Sequence, residues 1–441
     1  MNSKVERKGN SFPIVKWRWR SLDLEMKKVQ LSLLYRYLDF LKWKHPHSPQ
    51  PRSLFIVFGG LGDLLLCETV FHHLKSEQPN RRVEILTGGG LPLFTRMPSV
   101  DTIILATPEK TIGRGWAKKN FRHLAQFLLG RGYEEAVELL GMVPHRELNS
   151  AYTGLLLWAT GAPIRIGRMG VGEIRWKDNG QGRIRIPPSG LQPSKVVSHL
   201  FDPADPRTRP KHESLMCRKV LGKDYQPLSD HPQLAKVEGL AELWAKELLN
   251  NFSEGGKHLV VGVNLEVAFA LKGWPEERFL GVMDRGRKEG LRFIIVGLRR
   301  SFLASQMKEE LKEALLDLSG MTGLEELMAL VSQCDLFFSG DTGPAHLAEA
   351  FKVPTLVLFG PTNDKEFGPL AGIHKVIVAK RDCGGPPCMM GPCLVGRSCM
   401  LNIKEDEVTE VLLSIAKKKQ AGNYPIQEFP ANTEKEVIIF Q

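Results

Sequence analysis

Short, continuous apolar runs recur along this chain, separated by helical segments. SLFIVF (53–58), RVEILT (82–87), DTIILA (101–106) and EAVELL (135–140) form a first series. HLVVGVN (258–264), RFIIVG (292–297), DLFFSG (335–340), TLVLFG (355–360) and KVIVA (375–379) form a second. A strand apolar on both faces needs cover on both, and alternating helices supply it, so the pattern predicts parallel sheets sandwiched by helices. Helices are expected over about 63–75 and 117–129, and Pro275 opens another. Residues 161–210, rich in Gly, Pro and Arg, read as an irregular excursion, and HESLMCRKVLG (212–222) as a return to helix. Two successive open α/β units are the simplest account: 53–235 and 236–418, between an extension and linker at 1–52 and a C-terminal tail at 419–441. In such sheets ligands bind beyond the carboxyl ends of the strands.

With 441 residues, 42% hydrophobic and 25% charged, the composition is that of a globular protein. The net charge of +11 is unevenly placed, since residues 1–52 carry twelve Lys and Arg against four acids. The body is thus only mildly basic, which argues against nucleic acid as a partner. The apolar runs are too short to span a bilayer, and no signal-peptide pattern precedes them. An odd count of seven cysteines fits a reducing cytoplasm. Within the extension, Met26, Val29, Leu33, Tyr37 and Phe40 recur at helical spacing behind the basic-aromatic KWRWR (16–20). Such a helix either packs on its own protein or rests on an anionic membrane surface. HPHSPQP (45–51) ends it as a linker.

Two glycine-rich turns stand at strand ends. In GGLGD, Gly59, Gly60 and Gly62 let backbone approach a ligand closely, and Asp63 presents a carboxylate at the strand end. Asp63 is equally suited to capping the helix that follows. In GDTGPAHL, Pro344 suits the first helical position with Gly343 as N-cap, so the N–H groups of Gly343, Ala345 and His346 would face an anion held by the loop. An ordinary strand-to-helix turn has the same spelling. Lys272 follows the strand 258–264, where an ammonium could neutralise phosphate or sit solvated. Trp274 beside it reads as a packing residue. GGLGD is not G-x-G-x-x-G, and NAD binding is weakly supported.

GGLGD, KGWPEERF and GDTGPAHLAEAFKVPTLVLFGPT, taken in that order, resemble glycosyltransferase family 9, the ADP-heptose:lipopolysaccharide heptosyltransferases. PIRIG (163–167), HESLMCRKVLG and CMLNI (399–403) look like family segments too, and the resemblance covers about residues 53–415. It implies an α/β GT-B fold: two Rossmann-like domains with parallel sheets facing across a cleft, here with an N-terminal helical extension. It also implies inverting transfer of a heptose or related sugar. The donor would be a nucleotide-diphospho-sugar, ADP-heptose by family expectation, and the acceptor a lipid-linked lipopolysaccharide-core or other cell-envelope glycan. Asp63 matches the family's proposed base, with Gly60 and Gly62 in the acceptor-side loop. Lys272, Asp341, Thr342, Gly343 and His346 match the donor side, Asp341 bracing the loop or meeting sugar hydroxyls rather than phosphate. The enzyme would work in the cytoplasm, peripheral at the inner face of the membrane. One departure concerns the nucleoside: where the family carries an acid after the strand RFIIVG, this chain reads GLRRSFLASQ.

Cys383, Cys388, Cys393 and Cys399 lie in one Pro/Gly-rich loop, spaced either for a structural zinc or as free thiols in a lid. No catalytic metal and no cofactor is required by the implied reaction. Two other functions stay open: a GT-B nucleotide-sugar epimerase, and a non-catalytic sugar-nucleotide or lipid-binding protein.

Overall fold

The computed structural model describes residues 50–106, 119–140, 156–157, 159–168, 175–178, 183–186, 199–201, 232–298, 309–369, 372–383, 393, 398–424 and 427–440. The N-terminal extension, the helix expected at 212–222 and Cys388 lie outside them.

The first lobe contains strands β1 (Arg52–Val57), β2 (Arg82–Thr87), β3 (Thr102–Ala106), β4 (Glu135–Leu140), β5 (Ile164–Arg168) and β8 (His199–Phe201). Its helices are α1 (Leu61–Glu77), α2 (Leu91–Phe94) and α3 (Lys119–Gly130). A small antiparallel pair, β6 (Arg175–Asp178) and β7 (Arg183–Ile186), stands apart. The second lobe has β9 (Val260–Asn264), β10 (Arg292–Val296), β11 (Leu315–Asp317), β12 (Leu336–Gly340), β13 (Thr355–Phe359) and β14 (Lys375–Val378). Its helices are α4 (Leu240–Phe252), α5 (Glu276–Lys288), α6 (Glu309–Lys312), α7 (Leu324–Gln333), α8 (Gly343–Ala350), α9 (Asp364–Phe367) and α10 (Glu405–Gln420). A last strand, β15 (Glu436–Phe440), follows.

Both main sheets are parallel throughout. The first runs β15–β3–β2–β1–β4–β5–β8 and the second β11–β10–β9–β12–β13–β14. The strand order reverses beside β1 in one and between β9 and β12 in the other. The loops leaving these strands therefore open onto the switch-point crevices where α/β sheets hold ligands. This is the two-lobed GT-B arrangement that the resemblance implied.

The stretch 161–210 is less irregular than its composition suggests, since β5 and β8 extend the first sheet. Their runs are too short and too rich in Arg and Gly to stand out by periodicity. The tail contributes more than a tail: β15 crosses back to the first lobe and pairs with β3, Val437 opposite Ile103. Glu436 there meets Arg131, 3.0 Å away. Arg131 in turn holds the fully buried Glu84 at 2.6 Å, with Arg52 at 2.5 Å and the Tyr133 hydroxyl at 2.7 Å on the same carboxylate. Burial, then the Glu84 charge and hydrogen bond, raise the Tyr133 pKa well above its usual value.

One apolar core fills the far side of each sheet, and a third runs between the lobes, joining Phe55, Phe71 and Leu74 to Leu330, Leu347 and Phe351. Phe55 and Phe71 lie 5.0 Å apart between ring centres. Each such side chain stabilises the fold by roughly 1.5–3 kcal/mol. The lobes thus touch through packed helices. Among the described residues, no helix is long and apolar enough to cross a membrane.

Candidate active site

Between the lobes lies a cleft of about 1090 Å³. Gly60, Gly62 and Asp63 line it from the first lobe; Lys272, Asp341, Thr342, Gly343 and His346 line it from the second. These eight residues of the two turns and the Lys272 loop therefore meet in one place.

The GGLGD turn feeds α1 two residues sooner than expected. Gly60 is the N-cap, and Asp63, at the third helical position, accepts the Gly60 N–H with Oδ2 at 3.0 Å. The capping geometry is real and fixes the carboxylate at the cleft wall. The second turn also shifts by one residue. Thr342 is the N-cap of α8, and Gly343 and Pro344 are its first two residues. The Ala345 N–H is spent on the Thr342 carbonyl at 3.1 Å, so it is not one of the donors expected to face an anion. Pro344 has no N–H, so of the first three residues of α8 it is Gly343, which lines the cleft, that has an N–H left to offer a ligand. The Thr342 hydroxyl shares a 2.8 Å hydrogen bond with Ser339, which can donate and leave the Thr342 proton for a ligand.

Lys272 ends a 3₁₀ turn, Ala270–Lys272, and its Nζ stands 2.6 Å from Asp341 Oδ2. Asp341 braces the Lys272 loop against the α8 loop, as a carboxylate kept from phosphate would. The Lys272 ammonium also lies 5.4 Å from the Phe269 ring centre. Trp274 is a packing residue: its ring meets Phe279 and Phe338 edge-on, and its N–H donates to the Ile403 carbonyl at 3.3 Å.

The lobes meet most closely where the two glycine turns touch. A Cβ on Gly62 would stand 2.8 Å from His346 Cδ2, and one on Gly343 would stand 2.9 Å from Leu61 Cβ. These two glycines let the N-terminal ends of α1 and α8 converge, and both dipoles favour negative charge between them. His346 is buried, with Nδ1 3.4 Å from Glu349 Oε2. Burial pulls its pKa down, but the Glu349 hydrogen bond and the charges of Glu349, Asp341 and Asp63 outweigh that and raise it above the usual value.

Other residues of the cleft went unread in the sequence. Glu266, two residues past β9, accepts the Leu298 N–H at 2.5 Å and lies against Gly297. A carboxylate therefore does stand at the end of β10, supplied by the neighbouring strand's loop rather than by GLRRSFLASQ. Asn264 donates Nδ2 to the Val296 carbonyl at 2.9 Å, and its Oδ1 is buried with no partner among the described residues. The Thr362 hydroxyl is in the same condition. Position at a strand end was the signal available for Glu266 and Asn264. Cys383, Cys393 and Cys399 are partly exposed, and no cluster able to hold a metal occurs among the described residues.

The sequence pattern of glycosyltransferase family 9 (heptosyltransferase) matches residues 225–394, which include the Lys272 loop and GDTGPAHL. Over that segment the chain is similar to glycosyltransferase family 9. Among relatives of this glycosyltransferase, lipooligosaccharide heptosyltransferase 2 of Haemophilus influenzae is 22% identical over 323 residues, spanning 72% of this chain and 85% of the relative. Of solved structures, the ADP-heptose lipopolysaccharide heptosyltransferase II of E. coli superposes with a TM-score of 0.62 at 19% identity, covering 84% of this chain and 99% of that one. An E. coli heptosyltransferase solved with ADP superposes at 0.54 and 15% identity, over 82% and 99% of the two chains. Both likenesses are of fold: two Rossmann-like domains of the GT-B type.

Proposed function

We propose that this protein is a family 9 glycosyltransferase that moves a heptose or closely related sugar, with inversion, from a nucleotide-diphospho-sugar to a lipopolysaccharide-core or similar cell-envelope glycan. The observation that carries the reading is the opposition across one cleft of Asp63 from the first lobe and the Lys272–GDTG loop set from the second. Relatives named for heptose transfer and a fold neighbour holding ADP support heptose and ADP as the sugar and nucleotide.

In this mechanism the acceptor hydroxyl attacks the anomeric carbon from the face opposite the diphosphate, and Asp63 takes its proton. The bond from the anomeric carbon to the diphosphate oxygen breaks, and that oxygen keeps the electron pair. Its growing charge meets the Lys272 ammonium, the Gly343 N–H at the start of α8 and the Thr342 hydroxyl. Gly60 and Gly62 belong to the acceptor-side loop beside Asp63. No metal or cofactor takes part. The enzyme works in the cytoplasm against the inner membrane face, with residues 1–50 meeting anionic lipid.

A transfer assay over a panel of nucleotide sugars, with the product's anomeric configuration read by NMR, tests this. Transfer from ADP-heptose with inversion is expected. An epimerised nucleotide sugar, or tight binding without any transfer, would overturn the assignment.

A further inference from the structure

Glu349 is buried on a helix face otherwise made of Ala and Leu, where an uncompensated carboxylate is costly. Its partner there is His346, one turn earlier, with 3.4 Å between Oε2 and Nδ1. That contact commits Nδ1, the opposite Cδ2–Nε2 edge of the ring lies against Gly62, and His346 is among the residues lining the cleft. Among the described residues lining the cleft, Lys272 and His346 are the only basic side chains, and Lys272 is already paired with Asp341. His346 is therefore the basic side chain of the cleft that no loop carboxylate holds.

We infer that Glu349 is a positioning residue: it fixes the ring of His346 through Nδ1 and holds it as an imidazolium whose Nε2–H is offered to the phosphate of the sugar donor. The inference rests on the donor reading given above and adds to it a residue outside the GDTGPAH turn itself. The charged groups acting on the ring are Glu349 on its own helix, Asp341 in the loop before it and Asp63 on α1. Strands β12 and β13 carry no titratable side chain (LFFSG and TLVLF), and Glu325 and Glu326 lie in the first turn of α7, Glu325 reaching Arg96 at 3.5 Å. All three acting groups are acids and raise the ring's pKa, while burial lowers it. Without Glu349 the balance tips toward the neutral ring, and the donor proton is lost from the cleft as pH rises.

The experiment uses the full chain, wild type and Glu349→Gln, with histidine ring signals followed by NMR from pH 5.5 to 9 and ADP affinity measured by calorimetry over the same range. His346 is assigned by its loss in His346→Gln. The ring should titrate above the ordinary histidine value in wild type and measurably lower in Glu349→Gln. The ratio of the two affinities cancels the nucleotide's own titration. Between the two ring pKa values it should grow toward about tenfold per pH unit, the limit for one linked proton. Equal ring titration in both proteins, or a ratio flat with pH, overturns the role of Glu349. Should Glu349→Gln not fold, a wild-type ring titrating below the ordinary value overturns it equally. If ADP binds at no pH, the donor reading fails instead, and the ring titration still decides what Glu349 does.

Discussion

Lys272 Nζ stands 2.6 Å from Asp341 Oδ2, with both side chains largely withdrawn from solvent. The ammonium proposed to receive the diphosphate is thus already neutralised within its own lobe, and a bound phosphate must share it. Lys272→Ala should reduce ADP affinity by roughly tenfold or more, the value of one charge-assisted contact. It also strands the buried Asp341 carboxylate, which costs about 3 kcal/mol of stability. Lys272→Met combined with Asp341→Asn should recover the urea midpoint without recovering ADP binding. Recovery of both would show that the pair acts only structurally.

Asp63→Asn keeps an oxygen to accept the Gly60 N–H, so α1 should keep its start and the fold its stability. ADP affinity should survive while turnover falls about 10²–10⁴-fold, the usual loss with a general base. A matched drop in thermal midpoint and turnover would reassign Asp63 to capping alone.

Gly343 bears on the contact between the lobes as well as on the phosphate loop. A Cβ there meets Leu61 Cβ at 2.9 Å and the Gly62 nitrogen at 3.3 Å, both across the interface. Gly343→Ala should therefore cost about 1–3 kcal/mol of inter-lobe packing. Its observable effects are a larger radius of gyration in X-ray scattering with ADP present and weaker ADP binding. Gly62→Ala, pressing on His346, should do the same. An unchanged radius with lost affinity would return Gly343 to the ligand.

Deleting residues 1–50, the basic amphipathic stretch, should leave transfer to a soluble acceptor within about twofold of wild type and abolish sedimentation with anionic vesicles at moderate salt. Aggregation of the truncated chain would instead mean that the segment covers its own protein.

Metal analysis of protein purified without chelator tests the cysteine loop. One zinc per chain, lost with stability in Cys388→Ser while ADP binding persists, is the expected result if the four thiols bind metal. Metal-free protein of wild-type stability would leave them as free thiols.

Much of this architecture was legible because fully buried parallel strands write themselves as unbroken apolar runs. RVEILT fell on β2 and EAVELL on β4 without a shift in boundaries. The glycine turns were legible for a related reason, since a strand end followed by Gly, Asp and Pro has few other conformations. Contacts between distant segments were not. Nothing local in GGLGD says that Gly62 will face His346, and nothing in NLEVAF says that Glu266 will close on Leu298. The strand EVIIF was apolar enough to read, but its place beside β3 depends on a return across the whole molecule. Glu349 was hidden by its company: in AHLAEA a single acid among small residues looks like solvent-facing helix, and only the packing of α8 between the lobes buries it.

The return of β15 to the first sheet has a mechanical consequence. The chain passes from lobe to lobe at 232–239, where the Ala235 N–H is held by the Arg96 carbonyl, and passes back between α10 and β15, where Phe429 leans on Phe351 and Glu436 is gripped by Arg131. Two bodies joined by one thread can twist and swing freely; joined by two, they keep essentially a single axis, the line through both crossings. Any opening of the jaws that carry Asp63 and Lys272 is then confined to one arc, and each return to the shut position brings the same atoms back into register.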